Sequence, residues 1–93
     1  MNAVNVKMKQ DGGIWEKPMR VQSRSFAAVV HAKSMAAFGG MKLGVSMTWQ
    51  SVQQDTDGTY YVRVTMRARS RKQIVDMLMF LRESEDRYRA SLS

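Results

Sequence analysis

The sequence predicts an α+β fold: an antiparallel sheet with a long C-terminal helix packed on one face, in the order β-α-β-β-α. Three observations carry this prediction. Residues Thr59 to Arg69 alternate, with Tyr60, Val62, Val64, Met66 and Ala68 apolar and Tyr61, Arg63, Thr65, Arg67 and Arg69 polar or basic. That is the period of a strand with one buried and one wet face. Met41, Leu43, Val45, Met47 and Trp49 alternate in the same way with Lys42, Gly44, Ser46, Thr48 and Gln50. From Ser70 onward the period becomes helical, with Ile74, Met77, Leu78 and Leu81 forming one stripe.

A chain of 93 residues is expected to form one domain, 1–93, with a small core that association into a homodimer would support. Fifteen basic residues against 8 acidic ones give a formal charge of +7 and a pI near 10.3. Such a balance favours polyanions as partners. There is no cysteine, which excludes disulfides and thiolate metal sites. The opening residues MNAVNVKMKQDGG lack the apolar run of a secretory signal, and no stretch approaches the roughly 20 apolar residues that span a bilayer. A cytoplasmic protein without membrane association is expected.

Taken in order, residues 3 to 9 set Val4, Val6 and Met8 against Asn5, Lys7 and Lys9, so residues 1–10 suit an edge strand or a flexible basic arm. Asp11-Gly12-Gly13 signals a turn and a first hairpin. Ile14 to Gln22 reads as extended, and Pro18 confines it to a sheet edge or irregular structure because proline donates no ladder hydrogen bond. Ser25 to Phe38 reads as a helix, with five alanines, Ser25 as N-cap and Gly39 just past the end. Its apolar face would carry Phe26, Val30 and Ala37, with Lys33 in the middle. The same residues also alternate as a strand over Phe26, Ala28, Val30 and Ala32, which would give four strands and then a helix.

Asp57-Gly58 is a favoured pair for a two-residue type I′ turn. That turn would set Thr48 opposite Arg67, Ser46 opposite Arg69 and Gln50 opposite Thr65. An odd-length loop would break this parity unless a bulge restored it. Ser70 and Gln73 form a capping-box pair. In the helix that follows, Val75, Met79 and Phe80 widen the apolar surface, which suits either a wide core or a dimer or partner interface. Beyond Arg82 the chain is charged, with Glu83 to Arg87 and Glu85 to Arg89 spaced as helical ion pairs.

Residues 58–81, GTYYVRVTMRARSRKQIVDMLMFL, combine a glycine-tyrosine strand start, a valine-threonine alternation, Ala68 at the strand end and Ser70-Arg71-Lys72-Gln73 at the helix start. This quarter of the chain resembles the central strand and following helix of the YbeD-like family of small ACT-like, ferredoxin-fold proteins. The resemblance implies a β-α-β-β-α order and a regulatory or partner-binding role, with no catalytic residues. The chain departs from that family after the helix, where Arg82 to Ser93 is charged and helical and a closing strand would stand. The order of four strands and a helix is instead similar to single-strand-binding folds of the Whirly type.

No constellation for catalysis emerges. His31 is the only histidine, so a nucleophilic triad or zinc site lacks its partners. Asp55 and Asp57 echo the start of a calcium loop without its later ligands and read as a turn. Glu83, Glu85 and Asp86 belong to a charged helix end and not to an apolar cleft suited to acid-base work. No enzyme activity, cofactor or metal is expected.

The basic residues are more informative. Arg71 and Lys72 occupy the first turn of the last helix, where cations cost roughly 0.3–1 kcal/mol each. A helix start flanked by cations is an anion site. It adjoins the wet face of Arg63, Arg67 and Arg69, on which Arg63 and Arg67 stand about 13 Å apart and Arg67 and Arg69 about 7 Å. That face is expected to offer Tyr61 for stacking, Lys42, Ser46, Thr48 and Gln50 for hydrogen bonds, and no carboxylate. Such a surface suits single-stranded DNA or RNA. The same cations, with Val75, Met79 and Phe80, would suit a regulatory or inhibitory adaptor on an acidic protein face. An arginine face that serves only solubility is the plainest alternative.

Overall fold

The computed structural model describes residues 8–92. It contains β1 (Lys9–Asp11), β2 (Ile14–Ser23), α1 (Phe26–Leu43), β3 (Ser46–Trp49), β4 (Gln53–Gln54), β5 (Tyr60–Ala68) and α2 (Arg71–Ser91). The fold is α+β, with an antiparallel sheet of five strands in the order β1-β2-β5-β3 and β4 pairing with β5 beyond β3. Because β2 and β3 both run antiparallel to β5, they are parallel to each other and joined through α1, a split βαβ unit. The stretch from Ser25 to Phe38 is therefore not a strand, and the order of four strands and a helix does not apply. Within the alternation over residues 3 to 9, residues 3–7 lie outside the described residues; Lys9 belongs to β1.

The first hairpin turns as a two-residue loop. Asp11 faces Ile14, and Gly12 and Gly13 both take positive φ, at 57° and 82°. These are the signs of a type I′ turn, which matches strand twist and which glycine adopts without strain. Pro18 lies in β2 just past the residues that β1 covers, opposite Thr65. The outer side of β2 from Lys17 onward has no neighbouring strand among the described residues.

The second hairpin does not use the expected turn. Gly58 N–H donates to the Asp55 carbonyl at 3.0 Å and Asp55 N–H to the Thr59 carbonyl at 2.8 Å, leaving a three-residue loop with Gly58 at φ 87°. An odd loop flips the parity of the strands, and a bulge restores it. Trp49 faces Val64 while Gln53 faces Tyr61, so four residues along β3 and β4 match three along β5. As a result Ser46 faces Arg67 and Thr48 faces Thr65, two places from the predicted register. The predicted sidedness survives, with Met47 beside Met66.

Helix α1 begins where Ser25 Oγ accepts from the Ala28 N–H at 3.2 Å. It does not stop at Gly39. Gly39 and Gly40 are buried inside it, and the helix ends at Gly44, in the left-handed region at φ 73°. Met41 to Leu43 are thus its last turn and not the start of a strand. The buried side carries Val29, Ala36, Gly39 and Gly40, whereas Phe26 and Val30 are exposed. The helix is therefore rotated from the predicted face, because its small residues, not its large ones, meet the rest of the fold. A Cβ at Gly39 would lie 2.5 Å from the Phe80 ring, and one at Gly40 would lie 2.8 Å from the Val45 carbonyl oxygen.

Helix α2 starts in the predicted capping box, with Ser70 Oγ accepting from Gln73 N–H at 3.2 Å and Gln73 Oε1 accepting from Ser70 N–H at 3.0 Å. Both helices pack on the same side of the sheet. Ala36, Val45, Met66, Ala68, Ile74 and Met77 form the buried centre, with Trp15, Met47 and Trp49 packed around it. Each large side chain buried this way contributes about 1.5–3 kcal/mol.

Candidate anion-binding face

With both helices on one side, the opposite face of the sheet is open. The registers place Glu16, Pro18, Arg20 and Gln22 of β2 there beside Arg67, Thr65, Arg63 and Tyr61 of β5, with Ser46 and Thr48 of β3 completing it. Arg63, Arg67 and Arg69 are all exposed, the last just beyond the strand end. The alternation in β5 thus brings Tyr61, Arg63 and Arg67 to one surface.

The expectation of a face without carboxylates fails. Arg67 Nε donates to Glu16 Oε2 at 2.8 Å, and Lys9 Nζ stands 3.6 Å from Glu16 Oε1. The hydrogen bond from Arg67 holds the Glu16 carboxyl below its ordinary 4.5; partial burial opposes this, and the charges of Arg67 and Lys9 reinforce it. The physical reason for the miss is topological. β5 has two neighbours, and the one that supplies Glu16 is β2, about fifty residues away in the chain.

Tyr61 is also less open than predicted. The Arg20 guanidinium lies 3.9 Å over the centre of its ring and reaches Asp55 Oδ2 at 3.2 Å. The Tyr61 hydroxyl donates to Gln53 Oε1 at 3.0 Å. Sequence reasoning left Arg20 unassigned, although its two-residue spacing from Pro18 and Gln22 on an extended segment placed all three on one side.

Arg20 and Arg63 face each other across the β2–β5 ladder. Like charges so placed repel. Arg20 turns toward Asp55, but Arg63 has no ion pair among the described residues, and neither does Arg69. Gln50 N–H donates to the Arg63 carbonyl at 3.0 Å, so the backbone of Arg63 faces β3. Its opposite number Arg20, and with it Pro18 and Gln22, therefore point their backbone groups to the outer edge of β2.

The start of α2 differs from the expected cationic anion site. Lys72 Nζ lies 2.7 Å from Asp76 Oδ2, one turn along the same helix, and Arg71 is half-buried with an interaction of its own. Of the residues expected at a partner interface, Val75 is buried within the chain, and Phe80 packs against Gly39 with its ring 6.3 Å from that of Phe38. Met79 is exposed. It is joined as exposed apolar surface by Phe38 and Met41 of α1, at 58 % and 88 %. In the charged tail Glu85 pairs with Arg89 at 2.6 Å, whereas Glu83 and Arg87 form no ion pair among the described residues.

His31 stacks on Tyr88 with ring centres 4.4 Å apart. Among the described residues no group of three histidine, cysteine, aspartate or glutamate side chains is placed to hold a metal ion, and no helix is long and apolar enough to cross a membrane. Compared with known proteins, the chain matches no family model, no curated protein and no solved structure.

Proposed function

We propose that the protein binds single-stranded DNA or RNA, or a similar polyanion, across the open sheet face, without catalysing a reaction. The observation that carries this reading is the opposition of Arg20 and Arg63 on adjacent central strands, where Asp55 takes Arg20 and Arg63 has no ion pair among the described residues. A phosphate lying between them would relieve their repulsion, and Arg69 extends the cationic line beyond the strand end. Glu16 tempers Arg67, which makes Arg67 a secondary contact that a phosphate reaches by competing with a carboxylate. A base would stack on the Arg20 guanidinium that Tyr61 supports, as guanidinium planes do in single-strand readers.

The test is a titration of labelled oligo-dT and oligo-U at two salt concentrations. Phosphate contacts release counterions, so affinity is expected to fall as salt rises. Arg63→Glu with Arg69→Glu is expected to weaken binding by about tenfold or more. Unchanged affinity in that double variant overturns the proposal.

A second reading, a cytoplasmic regulatory or inhibitory adaptor that is itself a homodimer, is favoured by the exposed Phe38, Met41 and Met79. Small domains gain stability by covering such surface. Sedimentation of the wild type against Met41→Glu tests the homodimer, and oligonucleotide retention by the same two proteins separates the readings. A concentration-dependent dimer lost in the variant, with no retention of oligonucleotide by either, supports the second.

A further inference from the structure

The helix side of the sheet holds a cleft of about 690 Å³, between the end of β2, the first half of α1 and the second half of α2. Its volume is that of a small-molecule site. Val21, Val29, Ala32, Met35, Leu78 and Leu81 line it with apolar surface. Ser84 lines it too. That residue is only 5 % exposed, and its hydroxyl has no hydrogen-bond partner among the described residues. A helical serine commonly donates to the carbonyl four residues earlier, and this one does not. Buried hydroxyls in folded proteins nearly always find a partner, so this one is an exception in the wall of the cleft, with its oxygen almost closed to solvent. A neighbouring cavity of about 210 Å³ shares His31, Met35, Ser84 and Tyr88 with the cleft.

The charge around the cleft is mostly positive. Arg24, Arg82 and Arg89 are exposed residues of its lining. Glu85, the carboxylate among the described lining residues, is taken by Arg89 at 2.6 Å. Arg82 has no ion pair among the described residues. An apolar chamber with exposed arginines in its lining complements a molecule with a hydrocarbon body and an anionic end.

We propose that this cleft binds a small amphipathic carboxylate, with its hydrocarbon body against Met35, Leu78 and Leu81 and its charged end held by Arg82 and Arg24. The cleft lies on the helix side of the sheet and shares Arg20 and Gln22 with the arginine face, whereas Arg63 and Arg69 do not line it, so variants at those two positions test the sites apart.

Calorimetric titration with dodecanoate, below its micellar concentration, is expected to give saturable binding at one molecule per chain. Dodecyltrimethylammonium, with the same tail and the opposite charge, is expected to bind at least about tenfold more weakly. Ala32→Trp fills the chamber and Arg82→Glu reverses the charge at its mouth; each is expected to weaken dodecanoate by about tenfold or more. Arg63→Glu is expected to leave dodecanoate binding unchanged while it weakens oligonucleotide binding. Should Ala32→Trp fail to melt cooperatively, Arg82→Glu, at an exposed position, decides alone. In the absence of ligand Ser84→Ala is expected to melt higher than the wild type, because it removes an unbonded buried hydroxyl. Absence of saturable dodecanoate binding, equal binding of the cationic analogue, or full affinity in Arg82→Glu overturns the proposal.

Discussion

The Gln73 side-chain amide donates to the Leu43 carbonyl oxygen at 3.2 Å and so ties the first turn of α2 to the last turn of α1. The same side chain accepts from Ser70 N–H in the capping box. Glutamate would serve the second role as well as glutamine, and the helix dipole would favour it. It cannot serve the first, because a carboxylate has no proton for the Leu43 carbonyl. Gln73→Glu is therefore expected to destabilise by about 1–3 kcal/mol, against the local preference. A thermal melt of the two proteins checks this, and equal midpoints would show that the tie between helices is dispensable.

Alanine at Gly40 and at Gly39 should differ. The added methyl at Gly40 meets the Val45 backbone oxygen at 2.8 Å, and Val45 N–H itself donates to the Gly40 carbonyl at 2.9 Å. Nothing there can yield without moving the start of β3. At Gly39 the clash is with the Phe80 ring, which is partly exposed and can swing. Overpacking of this kind costs about 1–3 kcal/mol, against a gain of about 1 kcal/mol from helix propensity. Gly40→Ala is expected to lower the melting midpoint, and to lower it further than Gly39→Ala does.

Acid should weaken the fold through two carboxylates. The Arg67 hydrogen bond holds Glu16 below its ordinary 4.5, and the backbone N–H of Thr59 foremost holds Asp57 below its ordinary 3.8. Both groups release their protons more readily folded than unfolded. Their contribution is therefore present above the ordinary carboxylate range and is lost as pH falls through the lowered folded values. Melting midpoints of the wild type should fall with acid below about pH 4.5, and Glu16→Gln should flatten part of that fall.

The same substitution should act oppositely on binding. Glu16→Gln removes the partner of Arg67 and leaves the fifth strand with one more available cation on the open face. Oligonucleotide affinity is expected to rise and its dependence on salt to steepen, by about one further counterion released. Fluorescence anisotropy over a salt series measures both quantities, and an unchanged slope would exclude Arg67 from the contact.

Local pattern and long-range pairing were not equally legible in the chain. The alternation from Tyr60 to Ala68 and the Ser70–Gln73 cap are local, and the element bounds they imply agree with the structure. The turn at Gly58 was misread because Asp-Gly suits both a two-residue loop and the last position of a longer one. Helix α1 was visible in its alanines, but its buried side was not, because Gly39 and Gly40 register on no hydrophobic scale as core residues. The open face lost its expected purity through Glu16 and Asp55. Each lies on a segment whose partner is decided by the whole sheet and not by its neighbours in sequence. The cleft around Ser84 was invisible for the same reason, since a serine in a charged stretch reads as surface.

Pro18 gives the outer edge of β2, which has no neighbouring strand there among the described residues, a property of its own. Its position turns toward the outside of the sheet together with Arg20 and Gln22, yet it has no N–H to offer. An alien strand zipping along that edge would meet a missing rung between charged neighbours, Lys17 and Arg20, at the point where the ladder must propagate. The proline thus puts a break in any ladder that an intruding strand would build along this stretch of backbone.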